Sequence, residues 1–159
     1  MYAYIGCFTT AHRKARGKGI SVYRIDDASG PSVSWSLIEV FETIANPGFV
    51  ALDTKQRFLY ASHGDGDTIS AYAIDPQTRK LKFLNQQPSS GDNGPHLKVD
   101  ASDQYVVVAN GPGIAVLPIV AATLARRYGN RIAVVEPYAA KLPIEFTDTG
   151  ASLVDLDTA

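Results

Sequence analysis

The side chains best suited to chemistry are two histidines and an asparagine at the ends of short β-rich runs. His96 follows Pro95 at the start of one such run. Its imidazole can accept or donate a proton near neutral pH, which is what a general base or acid requires. A histidine at a strand start can equally serve a structural hydrogen bond, so both roles stay open. His96 is the predicted catalytic residue.

His63 opens a glycine-rich segment, HGDGD, that also contains Asp65 and Asp67. An imidazole and two carboxylates could hold a metal ion, but Asp and Gly at this spacing are more typical of a plain turn. Asn110 ends a different apolar run, where its amide could contact a ligand or shape a turn. If these residues have a functional role, it is contact with a substrate, and we predict His63 and Asn110 as substrate-binding residues. We expect neither a metal nor a cofactor.

Three further features have simpler explanations than chemistry. A basic loop could attract a phosphate, but a solvated loop is the more common role for such charges. Cys7 has no partner histidine in sequence and reads as a small buried residue. The GPG at residues 111–113 is not a G-x-G-x-x-G motif, which disfavours dinucleotide binding. The basic side chains of the loop are Arg13, Lys14, Arg16 and Lys18.

The elements that position these residues repeat along the chain. ISVYRID at residues 20–26 returns as ISAYAID at 69–75, a separation of 49 residues, and again as IAVLPI at 114–119. PGFVALD and RFLYAS return as PHLKVD and QYVVVAN, with a separation of 47 residues. Repeats of about 40 to 50 residues built from short β runs are typical of β-propeller blades.

The repeat also bears on the predicted catalytic residue. His96 begins the first strand of its blade, and strand-end groups at that place point into the central channel of a propeller. Phe49 stands 47 residues earlier, at the same position of the preceding unit. The blade itself therefore does not demand a histidine there.

The pattern changes after residue 118. Val120, Leu124 and Tyr128 recur every four residues before Gly129, which predicts a helix. Two apolar runs, 132–135 and 153–156, then predict neighbouring parallel strands joined by a crossover. We expect a partial propeller over residues 1–118, with two to three four-stranded antiparallel blades, and a small α/β extension over 119–159 that packs on itself.

The ordered motifs carry a resemblance to a known family. YIGCFT, KGISVYRID, NPGFVALD, RFLYASHGDGDTISAYAID, LKFLNQQPSSG, GPHLKVD and QYVVVAN resemble the N-terminal third of seven-bladed propeller lactonases of the 6-phosphogluconolactonase type. The resemblance covers about residues 2–118. It implies hydrolysis of 6-phosphogluconolactone or a related sugar lactone, and it places a family histidine at His96. Because the match stops after about three blades, we expect this chain to be inactive alone.

The last 40 residues are similar to a different family. RYGNRIAVVEPYAAKLP and ASLVDLDTA resemble part of the UDP-binding domain of nucleotide-sugar dehydrogenases of the UDP-N-acetylmannosamine type. None of that family's catalytic cysteine or cofactor motifs lies in this piece. No UDP-sugar binding is expected, because half a sheet cannot form the nucleotide crevice. Two alternatives to a lactonase lineage stay open, a non-catalytic truncated or chimeric propeller fragment and a dehydrogenase remnant.

Composition restricts the remaining partners. The net charge is −1, and the first 118 residues carry 11 basic and 11 acidic residues, so nucleic-acid binding is not expected. No run is long enough for a membrane span. The start of the chain has no signal-peptide pattern and Cys7 is the only cysteine, which predicts a cytoplasmic protein. Open blade edges predict self-association.

Overall fold

A computed structural model describes residues 1–26, 33–43, 45–89, 91–110, 113–120, 123–124 and 132–133. These residues form three antiparallel sheets, which we call blades 1 to 3. Blade 1 contains β1 (Tyr2–Gly6), β2 (Gly19–Asp26) and β3 (Ser34–Glu42), with one 3₁₀ turn at Ala11–Arg13. Blade 2 contains β4 (Pro47–Leu52), β5 (Phe58–His63), β6 (Thr68–Ile74) and β7 (Leu81–Pro88). Blade 3 contains β8 (His96–Val99), β9 (Tyr105–Asn110), β10 (Gly113–Val120), β11 (Thr123–Leu124) and β12 (Ile132–Ala133).

The predicted mainly-β architecture of antiparallel blades is confirmed. β2 lies between β1 and β3, and β6 lies between β5 and β7, so the two copies of the first motif occupy equivalent places. Each also has a register shift at the same point, between Val22 and Tyr23 in blade 1 and between Ala71 and Tyr72 in blade 2. Blade 1 differs in having three strands, because β1 corresponds to β5 rather than to β4.

An aspartate closes the turn after the first strand of blades 2 and 3. Asp53 Oδ1 accepts the backbone N–H groups of Arg57 and Phe58, at 2.6 and 2.8 Å. Asp100 Oδ1 does the same for the two residues at the corresponding positions, at 2.9 and 2.8 Å. Backbone N–H groups in a turn have no partner strand, and here the carboxylate accepts the hydrogen bonds that a neighbouring strand would otherwise accept. The repeated LD and VD pairs of the sequence are therefore turn devices.

Replacing the first of these aspartates should destabilise blade 2. Asp53→Ala removes the acceptor for two N–H groups, and we expect a loss of about 1–3 kcal/mol in the free energy of unfolding. Asp53→Asn keeps one side-chain oxygen and should lose less. Urea denaturation of the three proteins checks this, and equal midpoints for Asp53→Ala and the parent chain would contradict it.

The blades are joined by two apolar layers. The layer between blades 1 and 2 is centred on Ile20, Val22, Leu59 and Tyr72, all fully buried. Among the described residues, the buried side chains of the layer between blades 2 and 3 are Tyr60, Ile69, Ala71, Leu97, Val99, Val106, Val108 and Leu117. β4 contacts both β1 and β8, so the first strand of blade 2 lies against a strand of each neighbouring blade. The start of β8, and with it His96, is positioned by this contact.

The helix predicted from Val120 is wrong at its start. Val120 belongs to β10 and pairs with Thr123, and Ile119 pairs with Leu124, in an antiparallel hairpin. Three of these four residues are β-branched, and they extend an existing strand, so sheet pairing outweighs the four-residue apolar spacing. Tyr128 and Gly129 lie outside the described residues.

The prediction that the tail packs chiefly on itself is also wrong where the structure describes it. Ile132–Ala133 adds antiparallel to β10, with Ala115 opposite Ile132. β11 occupies only the last two residues of that edge of β10, and the N–H and C=O groups left open accept another strand. The second predicted tail strand, 153–156, lies outside the described residues. The domain boundary at residue 118 stays a prediction.

Candidate functional site

His96 lies at the first position of β8, exposed to solvent. Its ring packs on the ring of Phe49 from blade 2, with centroids 4.5 Å apart and planes inclined by 47°. Across the blade it is paired with Ala109, the residue before Asn110. The described residues give the imidazole no hydrogen bond. His96 is therefore held by an aromatic contact while its nitrogens stay available to a ligand.

His63 has the opposite environment. It is 3% exposed, and its Nδ1 lies 2.8 Å from the carbonyl oxygen of Ala45. A carbonyl only accepts, so Nδ1 carries a proton, and Nε2 lies 2.8 Å from the Ser70 hydroxyl. Both nitrogens are thus used within the protein. This geometry does not favour the predicted substrate contact of His63 and gives the residue a structural role.

Asn110 is the third predicted site residue, at the end of β9. Its Nδ2 donates to the carbonyl of Ser89 at 2.9 Å, which fixes the orientation of the amide. Its Oδ1 is buried and has no hydrogen-bond partner among the described residues. Gly91 and Gly94 enclose the amide, since a Cβ on Gly94 would lie 3.2 Å from Oδ1. Asn110 therefore holds one unused acceptor beside the strand of His96.

The repeat explains why His63 and Asn110 differ. They stand 47 residues apart and occupy the same place, at the end of the second strand of their blades. In blade 2 the Ser70 hydroxyl pairs with the side chain at this place. The register position of Ser70, opposite Ala61, corresponds in blade 3 to Ala115, opposite Val108. Alanine has no hydroxyl to donate, so the acceptor at Asn110 is left over.

The basic loop and the HGDGD segment meet in an ion-pair cluster. His12 Nε2 lies 2.9 Å from Asp65 Oδ2, and Arg13 donates through Nε to the same oxygen at 2.8 Å and through Nη2 to Oδ1. Asn46 Nδ2 also donates to Asp65, at 3.0 Å. Among the described residues, no group of three or more His, Cys, Asp or Glu could hold a metal ion. The described loop thus joins blade 1 to blade 2 through Asp65.

Asn46 is a key residue of this end of the molecule that the sequence reading missed. Its backbone has φ of 54°, and its Oδ1 accepts from the backbone N–H groups of Thr9 and Thr10, at 2.8 and 3.1 Å. Asn93, 47 residues later, has φ of 53°. Asparagine tolerates this left-handed conformation better than most residues. The repeated Asn shortly before a strand, one residue before β4 and three before β8, was the available signal.

Acid should weaken the joint between blades 1 and 2 through Asp65. The hydrogen bonds from Arg13, followed by that from His12, lower the pKa of Asp65 to about 2. The folded-state pKa is below the unfolded one, so this contribution to stability is present above about pH 4 and is lost as pH falls towards 2. We expect the melting temperature of Asp65→Asn to depend less on pH in this window. Thermal melts of the parent chain and of Asp65→Asn from about pH 5 to about pH 2 measure this difference, because the window includes both the unfolded and the folded pKa of an aspartate in this setting.

The matched control is Asp67→Asn on the same loop. The described residues give the Asp67 carboxylate no partner, while its backbone carbonyl accepts from Ser89 at 2.6 Å. Asp67→Asn should therefore follow the pH dependence of the parent chain. Identical profiles for the Asp65 and Asp67 variants would contradict the assignment.

Comparison with known proteins gives a consistent result. Residues 2–129 match the Lactonase, 7-bladed beta-propeller family. Proteins named 6-phosphogluconolactonase from Formosa agariphila and Bacillus subtilis are each 30% identical, over 114 and 113 residues, and the matches cover 67% and 69% of this chain. The chain spans only 30% and 31% of the length of those relatives.

Solved structures give the same fold. The periplasmic gluconolactonase PpgL of Pseudomonas aeruginosa superposes with a TM-score of 0.65 and 28% identity, over 77% of this chain and 36% of that protein. A Bacteroides fragilis protein superposes with a TM-score of 0.67 and 25% identity, over 78% of this chain and 34% of its own. The part of the chain that the structure describes contains no helix with the length and apolarity of a membrane span. With the repeated blades and the family match, the chain belongs to the seven-bladed β-propeller lactonases of the 6-phosphogluconolactonase type.

Proposed function

We propose that the three described blades form one sector of a sugar-lactone hydrolase, with His96 as the residue that acts on the lactone. The observation that carries this is the position of His96, exposed at the start of β8 and held against Phe49. The names of the two relatives support 6-phosphogluconolactone or a related sugar lactone as the substrate class. The cytoplasmic setting expected from the sequence stays a prediction.

Lactone hydrolysis needs a proton acceptor at the carbonyl. A water adds to the carbonyl carbon while a base takes its proton, the ring C–O bond breaks, and the ring oxygen receives a proton. In this proposal His96 is the base or the group that orients the substrate. Asn110 Oδ1 offers an acceptor for a substrate hydroxyl, and reaching it requires the enclosing segment at Gly91 and Gly94 to move aside.

One sector does not supply the rest of the chemistry. The developing oxyanion needs donors, and a phosphorylated sugar needs a cation. The guanidinium of Arg13 in the basic loop is already engaged by Asp65. In a closed ring, groups from every blade line the channel. We therefore propose that this chain recognises the lactone weakly and hydrolyses little of it alone.

Nuclear magnetic resonance of the three histidines tests the assignment. The chain contains only His12, His63 and His96, so each imidazole signal can be assigned by single substitution. On addition of 6-phosphogluconate, the stable product, we expect the His96 signal to move. The signal of His63 should stay, because that ring is buried and bonded on both nitrogens.

Two results would contradict the proposal. A shift confined to His12 would place anion binding on the basic loop. No shift of His96 at millimolar product would remove His96 from the site. The Phe49→Leu variant tests the ring contact separately, since it keeps His96 and removes the ring that holds its imidazole.

A further inference from the structure

Ser62 is a buried serine between blade 2 and the segment that leads into His96. It lies on β5, is 1% exposed, and donates its hydroxyl to the backbone carbonyl of Gly94 at 2.7 Å. Gly94 is itself buried and stands two residues before His96. Water does not reach a buried carbonyl to replace a lost donor, so this bond restrains the segment closely. The hydroxyl therefore fixes the entry of the chain into β8.

Ser62 is also connected to the ring that packs on His96. It is directly opposite Phe49 in the ladder between β4 and β5. The ring of Phe49 and the imidazole of His96 have their centroids 4.5 Å apart. A Cβ added to Gly94 would lie 3.4 Å from the Cβ of Ser62, so the segment packs directly on this serine. Ser62 thus touches both halves of the ring contact, one through its strand pairing and the other through its hydroxyl.

The junction between blades 1 and 2 shows the alternative to this hydroxyl. Gly6 and Ser62 occupy equivalent positions, because each is opposite the first isoleucine of the repeated motif, in β2 and in β6. Pro47 stands 47 residues before Gly94, and a Cβ on Gly6 would lie 2.1 Å from the carbonyl oxygen of Pro47. That carbonyl takes the space of a side chain. At the second junction a side chain is present and binds the carbonyl, so the serine sets the spacing there.

We propose that Ser62 is a positioning residue for His96. Its hydroxyl holds the Gly94 carbonyl, and this sets where the imidazole stands relative to the Phe49 ring and to a bound lactone. Ser62 is buried, so it acts through His96 and not on the lactone itself. The inference rests on the proposed function for one step, the contact of His96 with the lactone.

Proton nuclear magnetic resonance of the His96 imidazole tests this placement without any ligand. The ring current of Phe49 displaces the His96 signals, and the difference between the parent chain and Phe49→Leu measures the displacement. We expect Ser62→Ala to move the signals most of the way towards their Phe49→Leu values, because the segment before His96 loses the donor that holds it. His96 signals in Ser62→Ala that coincide with those of the parent chain would overturn the proposal.

Ser70→Ala is the matched control. Ser70 is a buried serine of the same blade, and its hydroxyl lies 2.8 Å from Nε2 of His63. This variant also removes one buried hydroxyl from blade 2, so it should lower the melting temperature by a similar amount. It should move the signals of His63 and leave those of His96 in place. An equal change of the His96 signals in both variants would show a general loosening of blade 2, and would contradict a specific role of Ser62.

Ser62→Cys decides the question if the alanine variant does not fold. A thiol is a weaker donor than a hydroxyl, so the His96 signals should move in the direction of Phe49→Leu and by less than a full loss of the bond would give. His96 signals identical to those of the parent chain in a folded Ser62→Cys protein would count against positioning by the hydroxyl.

Addition of 6-phosphogluconate separates this inference from the proposed function. If the His96 signals of the parent chain do not respond to the product, the proposed function fails, while the ligand-free comparison still decides whether Ser62 places the imidazole. If they respond, we expect Ser62→Ala to need about three- to tenfold more product for the same response, which corresponds to one lost hydrogen bond. Equal responses of the two proteins would contradict the role of Ser62 in the site.

Discussion

Gly6→Ala is expected to separate blade 1 from blade 2. A Cβ on Gly6 would lie 2.1 Å from the backbone oxygen of Pro47 and 3.3 Å from Cγ1 of Val50. Backbone cannot move aside as a flexible side chain can, so the contact of β1 with β4 must open. We expect a loss of about 3 kcal/mol or more in the free energy of unfolding.

Gly48, the residue after Pro47, provides the control for this substitution. A Cβ on Gly48 would meet its nearest atoms at 3.7 and 3.8 Å, which are ordinary contacts. Gly48→Ala should therefore change the free energy of unfolding by less than about 0.5 kcal/mol. Urea denaturation followed by the fluorescence of Trp35, which lies in blade 1, measures both variants. Equal midpoints for the two would show that the blades do not approach as closely as described.

The strands of the propeller part could be predicted well because several local signals agree. The copies of the first motif at residues 20–26 and 69–75 fall on β2 and β6, as the repeat spacing predicted. Asp53 and Asp100 close equivalent turns through the same backbone bonds, which is why LD and VD mark strand ends in the sequence. Propensity, turn chemistry and repeat spacing all favour the same structure there.

The start of the tail could not be predicted from its own pattern. The spacing of Val120 and Leu124 fits one side of a helix, but these residues form an antiparallel hairpin on an existing strand edge. A short apolar run of this kind does not distinguish the two periods. The available edge of β10 is a property of the folded blade, and neither the position of Ile132 on it nor the hairpin is visible in local sequence.

The places of the candidate site residues on their strands could be predicted better than their hydrogen-bond partners. The exposure of His96 follows from its place at a strand start. The pairing of His63 depends on Ala45, 18 residues away, and the empty acceptor of Asn110 depends on which residue stands in the Ser70 position of its blade. Comparison of the repeats explains this difference once the strand register is known. The repeat spacing alone predicted that His63 and Asn110 are equivalent, but it did not predict the hydrogen-bond partners of either side chain.

Hydrolysis of 6-phosphogluconolactone by the chain itself is the most direct test of the central claim, that these blades are one sector of a lactonase. The reaction can be followed by phosphorus nuclear magnetic resonance against the spontaneous rate, with the Bacillus subtilis 6-phosphogluconolactonase as the positive control. We predict no measurable acceleration by the parent chain or by His96→Ala, because the other blades are needed to bind the phosphate and the oxyanion. Saturable acceleration by the parent chain that is lost in His96→Ala would contradict this, since it would place a complete active site within the three blades.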